Sequence, residues 1–260
     1  KRQTMTYLDN LIVMSQINNS PANIYQMNLA SDKVVEYLDN QVASDVAILL
    51  LHGTPGSCLN WQKWVNEEKS VRVIASSRSG YGTSYRNAGR NVADDLEIQA
   101  ELLDKLNIKK FVAIGWSGGG PHALNMTRDP RCQAAFTLAS VGEFNQPDLN
   151  YLEGMGEENH QEFGEAVKGE SAISAWMEKE AAVYKTVTGE EIIAAFGGLI
   201  GEADKKALTG EVADRYAKSF SHGLSVSYFG WIDDDLAFVK PFGFDLGEIN
   251  KPVILWQGDE

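Results

Sequence analysis

Five short apolar runs, at 46–51, 71–75, 111–114, 135–138 and 253–256, constrain this chain more than any other feature. They are near-continuous rather than alternating, the pattern of strands buried on both faces of a parallel sheet. Parallel neighbours cannot be joined by a tight turn, so helical crossovers must separate them. The clearest lies at 91–106. Asn91 can cap it, Asp94 and Asp95 suit the positive end of its dipole, and Val92, Leu96, Leu103 and Leu106 form an apolar face. The expected fold class is therefore α/β, with a mostly parallel, doubly wound sheet. Residues 24–38 read as two short strands about a turn at 30–33, a hairpin forming one edge of that sheet.

Between Leu138 and Val253 the strand pattern stops, and 171–185, 190–200 and 211–220 read as helices. An insertion of this length within an α/β frame is expected to form a lid over the strand ends. The organisation expected is a lead-in at 1–23, with Tyr7, Leu8, Leu11 and Ile12 at helical spacing, then a core at 24–144 and 240–260 interrupted by a helical lid at 145–239. One domain with an insertion suits 260 residues that are 43% hydrophobic.

The sequence carries 36 acidic against 23 basic residues, a formal charge of −13, which repels polyanions and argues against nucleic acid as a partner. The two cysteines, Cys58 and Cys132, lie in no zinc-type cluster. The sequence shows no apolar stretch of membrane-spanning length, and 11–14 is too short for a signal-peptide core. A cytoplasmic protein acting on a small molecule, without membrane partner, metal or organic cofactor, is the expectation.

The chemistry concentrates at two strand ends. The strand from Phe111 runs into Gly115-Trp116-Ser117-Gly118-Gly119, and Gly120-Pro121-His122-Ala123-Leu124 opens a helix. Strand, sharp turn and helix are the context in which Gly-x-Ser-x-Gly presents a serine nucleophile. Gly115 and Gly119 supply the small neighbours the turn needs, and Pro121 suits a first helical turn. The helix N-terminus puts donors beside Ser117, where an oxyanion would develop. The second constellation, Leu51-His52-Gly53-Thr54-Pro55-Gly56-Ser57, follows the first buried strand. Acyl transfer needs two N–H donors on the oxyanion, one from the residue after the nucleophile and one from an upstream loop; these are assigned to Gly118 and Thr54.

Together with Ser77-Arg78-Ser79-Gly80-Tyr81-Gly82-Thr83-Ser84 and Pro252-Val253-Ile254-Leu255-Trp256-Gln257-Gly258-Asp259, these motifs resemble, in order and spacing, those of capped α/β-hydrolases related to prolyl aminopeptidases. The resemblance runs from about residue 30 onwards and implies an α/β-hydrolase fold with a serine mechanism. It implies hydrolysis of a carboxylic ester or small amide, with aminopeptidase action on small peptides as the alternative. It also places the triad acid in the turn after the last strand and the histidine later still. Asp259 is the nearby acid candidate, Glu260 a weaker one, and acid and histidine are both expected past residue 260, in a final strand and helix.

None of the four histidines substitutes readily: His52 belongs to the oxyanion loop, where it orders backbone, His122 lies along the helix after Ser117, and His160 and His222 fall in the lid. If no later histidine exists, a ligand-binding homologue without turnover is the reading from a different class. Arg78 reads as a loop anchor rather than a substrate contact. Asp233, Asp234 and Asp235 read as a solvated acidic turn, since consecutive helical residues point in different directions. Trp176, Tyr184, Phe196, Tyr228, Phe229 and Trp231 serve either an apolar pocket or the packing of the lid on the core, and Glu153, Glu157 and Glu158 either a substrate amine or a merely acidic surface.

Overall fold

The computed structural model describes residues 23–196 and 200–258. The lead-in helix expected ahead of Asn23 and the acid candidates Asp259 and Glu260 lie outside the described residues.

The expected hairpin is present. Strands β1 (Tyr25–Asn28) and β2 (Val34–Asp39) pair antiparallel, with Tyr25 opposite Tyr37, and β2 joins the rest of the sheet antiparallel. The apolar runs become β3 (Ala47–Leu51), β4 (Arg72–Ser76) after the short helix α1 (Gln62–Glu67), β5 (Phe111–Trp116) after α2 (Asp95–Lys105), and β6 (Cys132–Leu138) after α3 (Gly119–Met126). Helices α4 (Glu157–Val167), α5 (Glu170–Tyr184), α6 (Gly189–Phe196), α7 (Glu202–Ala207), α8 (Gly210–Gly223) and α9 (Phe229–Phe238) precede β7 (Val253–Trp256). Among the described residues the sheet order is β1-β2-β4-β3-β5-β6-β7, with β4, β3, β5, β6 and β7 parallel.

The continuous apolar runs follow from burial on both faces. On one face Leu49, Leu51, Ile74, Phe111 and Ala113 meet Ile98, Leu102 and Leu103 of α2 and Ala123 and Met126 of α3. On the other, Leu50, Val73 and Ala75 meet Leu59, Trp61 and Val65, from α1 and the turn before it. Leu49, Leu50 and Leu51 are completely buried, each worth about 1.5–3 kcal/mol relative to exposure. The turn leading into α2 is closed reciprocally: Asp94 N–H donates to Asn91 Oδ1 (3.1 Å) and Asn91 N–H to Asp94 Oδ2 (2.8 Å).

The helices between β6 and β7 have cores of their own. Trp231 of α9 is buried with Ile173, Met177 and Ala181 of α5, its ring edge-on to Trp176 and Tyr184. Ile192 of α6 packs with Ala213, Ala217 and Phe220 of α8. These contacts give Trp176, Tyr184 and Trp231 the packing role of the two considered, while Phe229 lies half-exposed beneath the Arg86 guanidinium. The segment meets the strand ends where Tyr216 of α8 stacks on Trp116, ring centres 4.9 Å apart. No helix among the described residues is long and apolar enough to cross a membrane.

The sheet order positions the site. From β3 the chain moves to β4 on one side, then returns across β3 to β5 and continues to β6 on the other. The carboxyl ends of β3 and β5 mark this reversal, the usual ligand position in open α/β sheets. Both motif loops leave from those two ends.

Candidate active site

Ser117 follows the last residue of β5 and has φ +52°, a conformation rarely adopted by a non-glycine residue and costing about 1–3 kcal/mol. Neighbouring backbone holds it there. Its N–H donates to the Leu138 carbonyl (2.8 Å) and its carbonyl accepts from the Gly120 N–H (2.9 Å). A turn this sharp brings β5 and α3 into backbone contact, so a Cβ on Gly115 would lie 2.1 Å from the Gly119 oxygen. The N-terminus of α3 and its positive potential sit beside Ser117.

The loop after β3 lies against this elbow. A Cβ on Gly53 would fall 3.3 Å from Ser117 Cβ, and one on Gly118 only 2.3 Å from Thr54 Oγ1. Ser117, Gly118 and Thr54 are thus brought together. Among the described residues, neither the Thr54 nor the Gly118 N–H donates to another backbone carbonyl in a turn or loop.

Beneath the loop is a buried ionic network that sequence reasoning saw only in part. Arg78, 1% exposed, donates to the His52 carbonyl, the Gly53 carbonyl (3.0 Å) and Thr54 Oγ1 (2.9 Å). It is an anchor, as its motif suggested, but of the loop after β3. His52 orders backbone as expected: Nδ1 lies 2.7 Å from the Gly53 oxygen and Nε2 accepts from the Arg78 N–H at 3.0 Å. Burial, reinforced by the Arg78 charge, holds the His52 pKa well below the ordinary value, so the ring is neutral with both nitrogens engaged.

Asp234 of α9 completes the network and corrects the reading of the acidic triplet. Asp233, Asp234 and Asp235 are all buried rather than solvated. They do point in different directions, each into a separate environment. Arg86 clasps Asp233 at 2.9 Å, and Asp235 faces Glu162 of α4. Asp234 accepts from Thr54 Oγ1 (2.7 Å), Arg78 Nη2 (2.6 Å), Tyr81 Oη (2.8 Å) and Arg90 Nη2 (2.6 Å). Burial alone would raise its pKa, but the Arg78 and Arg90 charges hold it well below the ordinary carboxylate value. Asp234 was missed because three consecutive acids carry no local sign of cations folding onto them from 156 and 144 positions away.

The remaining histidines have other settings. His122 is buried, with Nδ1 3.1 Å from Asp95 Oδ2 and Nε2 3.9 Å from Asp234 Oδ1; burial lowers its pKa. His160 is exposed on α4, and His222 Nε2 lies 2.9 Å from Glu36 Oε1. The described residues contain no group of three or more His, Cys, Asp or Glu side chains arranged to hold a metal.

The fold and both strand-end loops define a hydrolase scaffold, and family comparison agrees: residues 46–182 match the alpha/beta hydrolase fold family, and the chain belongs to it. Over 78 residues it is 31% identical to the uncharacterized hydrolase YcgS of Bacillus subtilis (strain 168), a match covering 30% of this chain and only 28% of that protein. Among solved structures it resembles the epoxide hydrolase CorEH (TM-score 0.65, 19% identity, 92% of this chain and 82% of that one). It also resembles a thermophilic esterase from Thermogutta terrifontis (0.60, 19%, 89% and 78%) and the enol-lactonase from Burkholderia xenovorans LB400 (0.61, 15%, 91% and 82%). At these identities the likeness is one of fold.

Proposed function

We propose that this α/β-hydrolase cleaves a carboxylic ester or small amide through an acyl-enzyme on Ser117. The observation that carries this reading is a serine at φ +52° between β5 and α3, with the Thr54 loop packed against it. Ser117 Oγ attacks the carbonyl carbon as its proton passes to a histidine, and the carbonyl oxygen becomes an oxyanion facing the Thr54 and Gly118 N–H groups. The protonated histidine then gives its proton to the leaving oxygen or nitrogen as that bond breaks. Water repeats the sequence to release the acid. The histidine and acid are expected after β7, with Asp259 the acid candidate nearest at hand.

Similarity to both epoxide hydrolases and esterases leaves the reaction to be decided by the nucleophile. Epoxide opening by a serine hydroxyl would leave an ether that water cannot readily cleave, so turnover would stop after one event. Carbonyl attack leaves an ester, which water hydrolyses. Serine therefore favours acyl transfer.

The helices between β6 and β7 are proposed to act as a lid, since Tyr216 of α8 stacks on Trp116, next to the nucleophile. The aminopeptidase alternative draws less support: Glu153, Glu157 and Glu158 are exposed, and Glu158 already accepts from Tyr184 Oη at 2.7 Å. Intact-mass measurement after treatment with a fluorophosphonate tests the central claim. One adduct, lost in Ser117→Ala, is expected; labelling that survives the substitution overturns the serine assignment.

A further inference from the structure

In a trans peptide unit the carbonyl and the following N–H point in opposite directions. Gly53–Thr54 is trans, and its carbonyl is held from one side by Arg78 Nη2 (3.0 Å) and His52 Nδ1 (2.7 Å). The Thr54 N–H therefore points away from Arg78. Were the peptide to turn over, the carbonyl oxygen would stand where the N–H now is, and would repel an oxyanion.

The guanidinium that sets this orientation is itself held by Asp234, which takes Arg78 Nη2 at 2.6 Å and Nε at 3.3 Å. The same carboxylate accepts the Thr54 hydroxyl at 2.7 Å, while that hydroxyl accepts from Arg78 at 2.9 Å. Carboxylate, guanidinium and hydroxyl close a ring of charge-assisted bonds behind the loop, all from fully or partly buried groups. Tyr81 Oη and Arg90 Nη2 add donors to Asp234, so the carboxylate is fixed independently of the loop it steadies.

We infer that Asp234 is a positioning residue for acyl transfer, acting through Arg78 and the Thr54 hydroxyl to keep the Gly53–Thr54 peptide turned with its N–H toward the reacting centre. The inference rests on the serine-hydrolase reading. It adds that α9, at the far end of the helical segment, sets the competence of a loop 180 positions earlier.

The test compares Asp234→Asn, Thr54→Val, Thr54→Ser and the Thr54→Val/Asp234→Asn double variant of the full-length protein. The readouts are 4-nitrophenyl acetate turnover and the rate of fluorophosphonate labelling. Misaligning a donor by about 1 Å costs on the order of 100-fold in rate. A loss of that order in kcat is expected for Asp234→Asn and for Thr54→Val, with KM moving less than about threefold, the pattern of an interaction specific to the transition state. Thr54→Ser keeps the hydroxyl and should recover most of the rate. The double variant should lose about as much as either single one, because one clamp is removed in each case.

Thr54→Val is nearly isosteric, so the Val/Ser comparison stands even if Asp234→Asn fails to fold. Near-normal kcat in folded Asp234→Asn or Thr54→Val, or equal losses for Val and Ser at position 54, overturns the inference. Ser117→Ala separates the two levels. If it retains turnover, the serine reading itself has failed; if it abolishes turnover while the clamp variants match the unmodified protein, only the positioning role has failed.

Discussion

Gly115 and Gly119 approach so closely across the elbow that a methyl group on the first would lie 2.1 Å from the carbonyl oxygen of the second. The obstacle is backbone on both sides, at the start of α3, and no rotamer change relieves it. Gly115→Ala is accordingly expected to cost about 1–3 kcal/mol or more, as overpacking does. It should also move Ser117 off its strained geometry, so fluorophosphonate labelling should fall more steeply than thermal stability. Labelling at the normal rate in a stable Gly115→Ala protein would show that the elbow tolerates a wider turn.

Cys58 and Cys132 are both buried and unpaired. Burial pushes the Cys58 thiol well above its ordinary pKa, and does the same to Cys132, to about 11. The thiolate is the reactive form, so the native protein should resist a thiol reagent such as DTNB at pH 8. Both cysteines of the sequence should react once the chain is unfolded in guanidinium. Rapid stoichiometric reaction of the native protein would contradict the burial of these side chains.

Neither oxygen of Asp235 accepts a bond from an N–H or O–H donor among the described residues; its neighbour is the carboxyl of Glu162, which accepts from Trp231 Nε1 and Asn159 Nδ2. Two buried carboxyls can share this space only around a proton. Burial raises Glu162 to about 7, and burial together with the Glu162 charge raises Asp235 well above the ordinary range. Because the folded form holds a proton the unfolded chain has released, the contribution is fully present below about pH 4.5. It is lost as pH rises through about 7. The urea midpoint should fall across that window. In Glu162→Gln, which removes one of the two titrating carboxyls and whose amide can donate to Asp235, the fall should be smaller. A flat profile in the unmodified protein would rule out the shared proton.

The parts of this architecture legible in the sequence are those whose causes are local. Burial on two faces leaves uninterrupted apolar runs, so β3 to β7 were readable within a few residues, and the glycines at 115 and 119 announce a turn that only they allow. Helix α4 was not readable, because Phe163 and Ala166 are a thin apolar stripe among acidic residues, with Glu162 buried beside them. Helix α9 defeated sequence reasoning for a related reason. Its three aspartates look like a hydrated surface until Arg78, Arg86, Arg90 and Glu162 are known to surround them, and those partners are supplied by tertiary structure alone. The sharp turn at Ser117 was visible from its motif, whereas the groups behind the loop after β3 were not.

A second buried carboxylate makes a grip with the opposite pH dependence. Glu36 of β2 is fully buried and accepts from Ser77 Oγ at 2.6 Å, from the Thr83 N–H and hydroxyl at 3.0 and 2.9 Å, and faces His222 Nε2 of α8 at 2.9 Å. Burial works to raise its pKa, but His222 and the hydrogen bonds to Ser77 and Thr83 outweigh it and leave the value lowered. A lowered carboxylate contributes stability above its unfolded value, near 4.5, and loses it as pH falls through the folded value. The hold of α8 on β2 should therefore weaken in acid, while the contact of α4 with α9 weakens as pH rises through neutrality. Hydrogen exchange followed against pH distinguishes the two grips by location: α8 amides should lose protection first below about pH 4.5, and α4 and α9 amides first above about pH 7. Glu36→Ala leaves buried donors without an acceptor and should cost about 3 kcal/mol at neutral pH. It should also remove the acid-side loss in α8 while leaving the behaviour of α4 and α9 unchanged; loss of protection in all three helices at the same pH would mean that the segment opens as one unit and that neither carboxylate controls it separately.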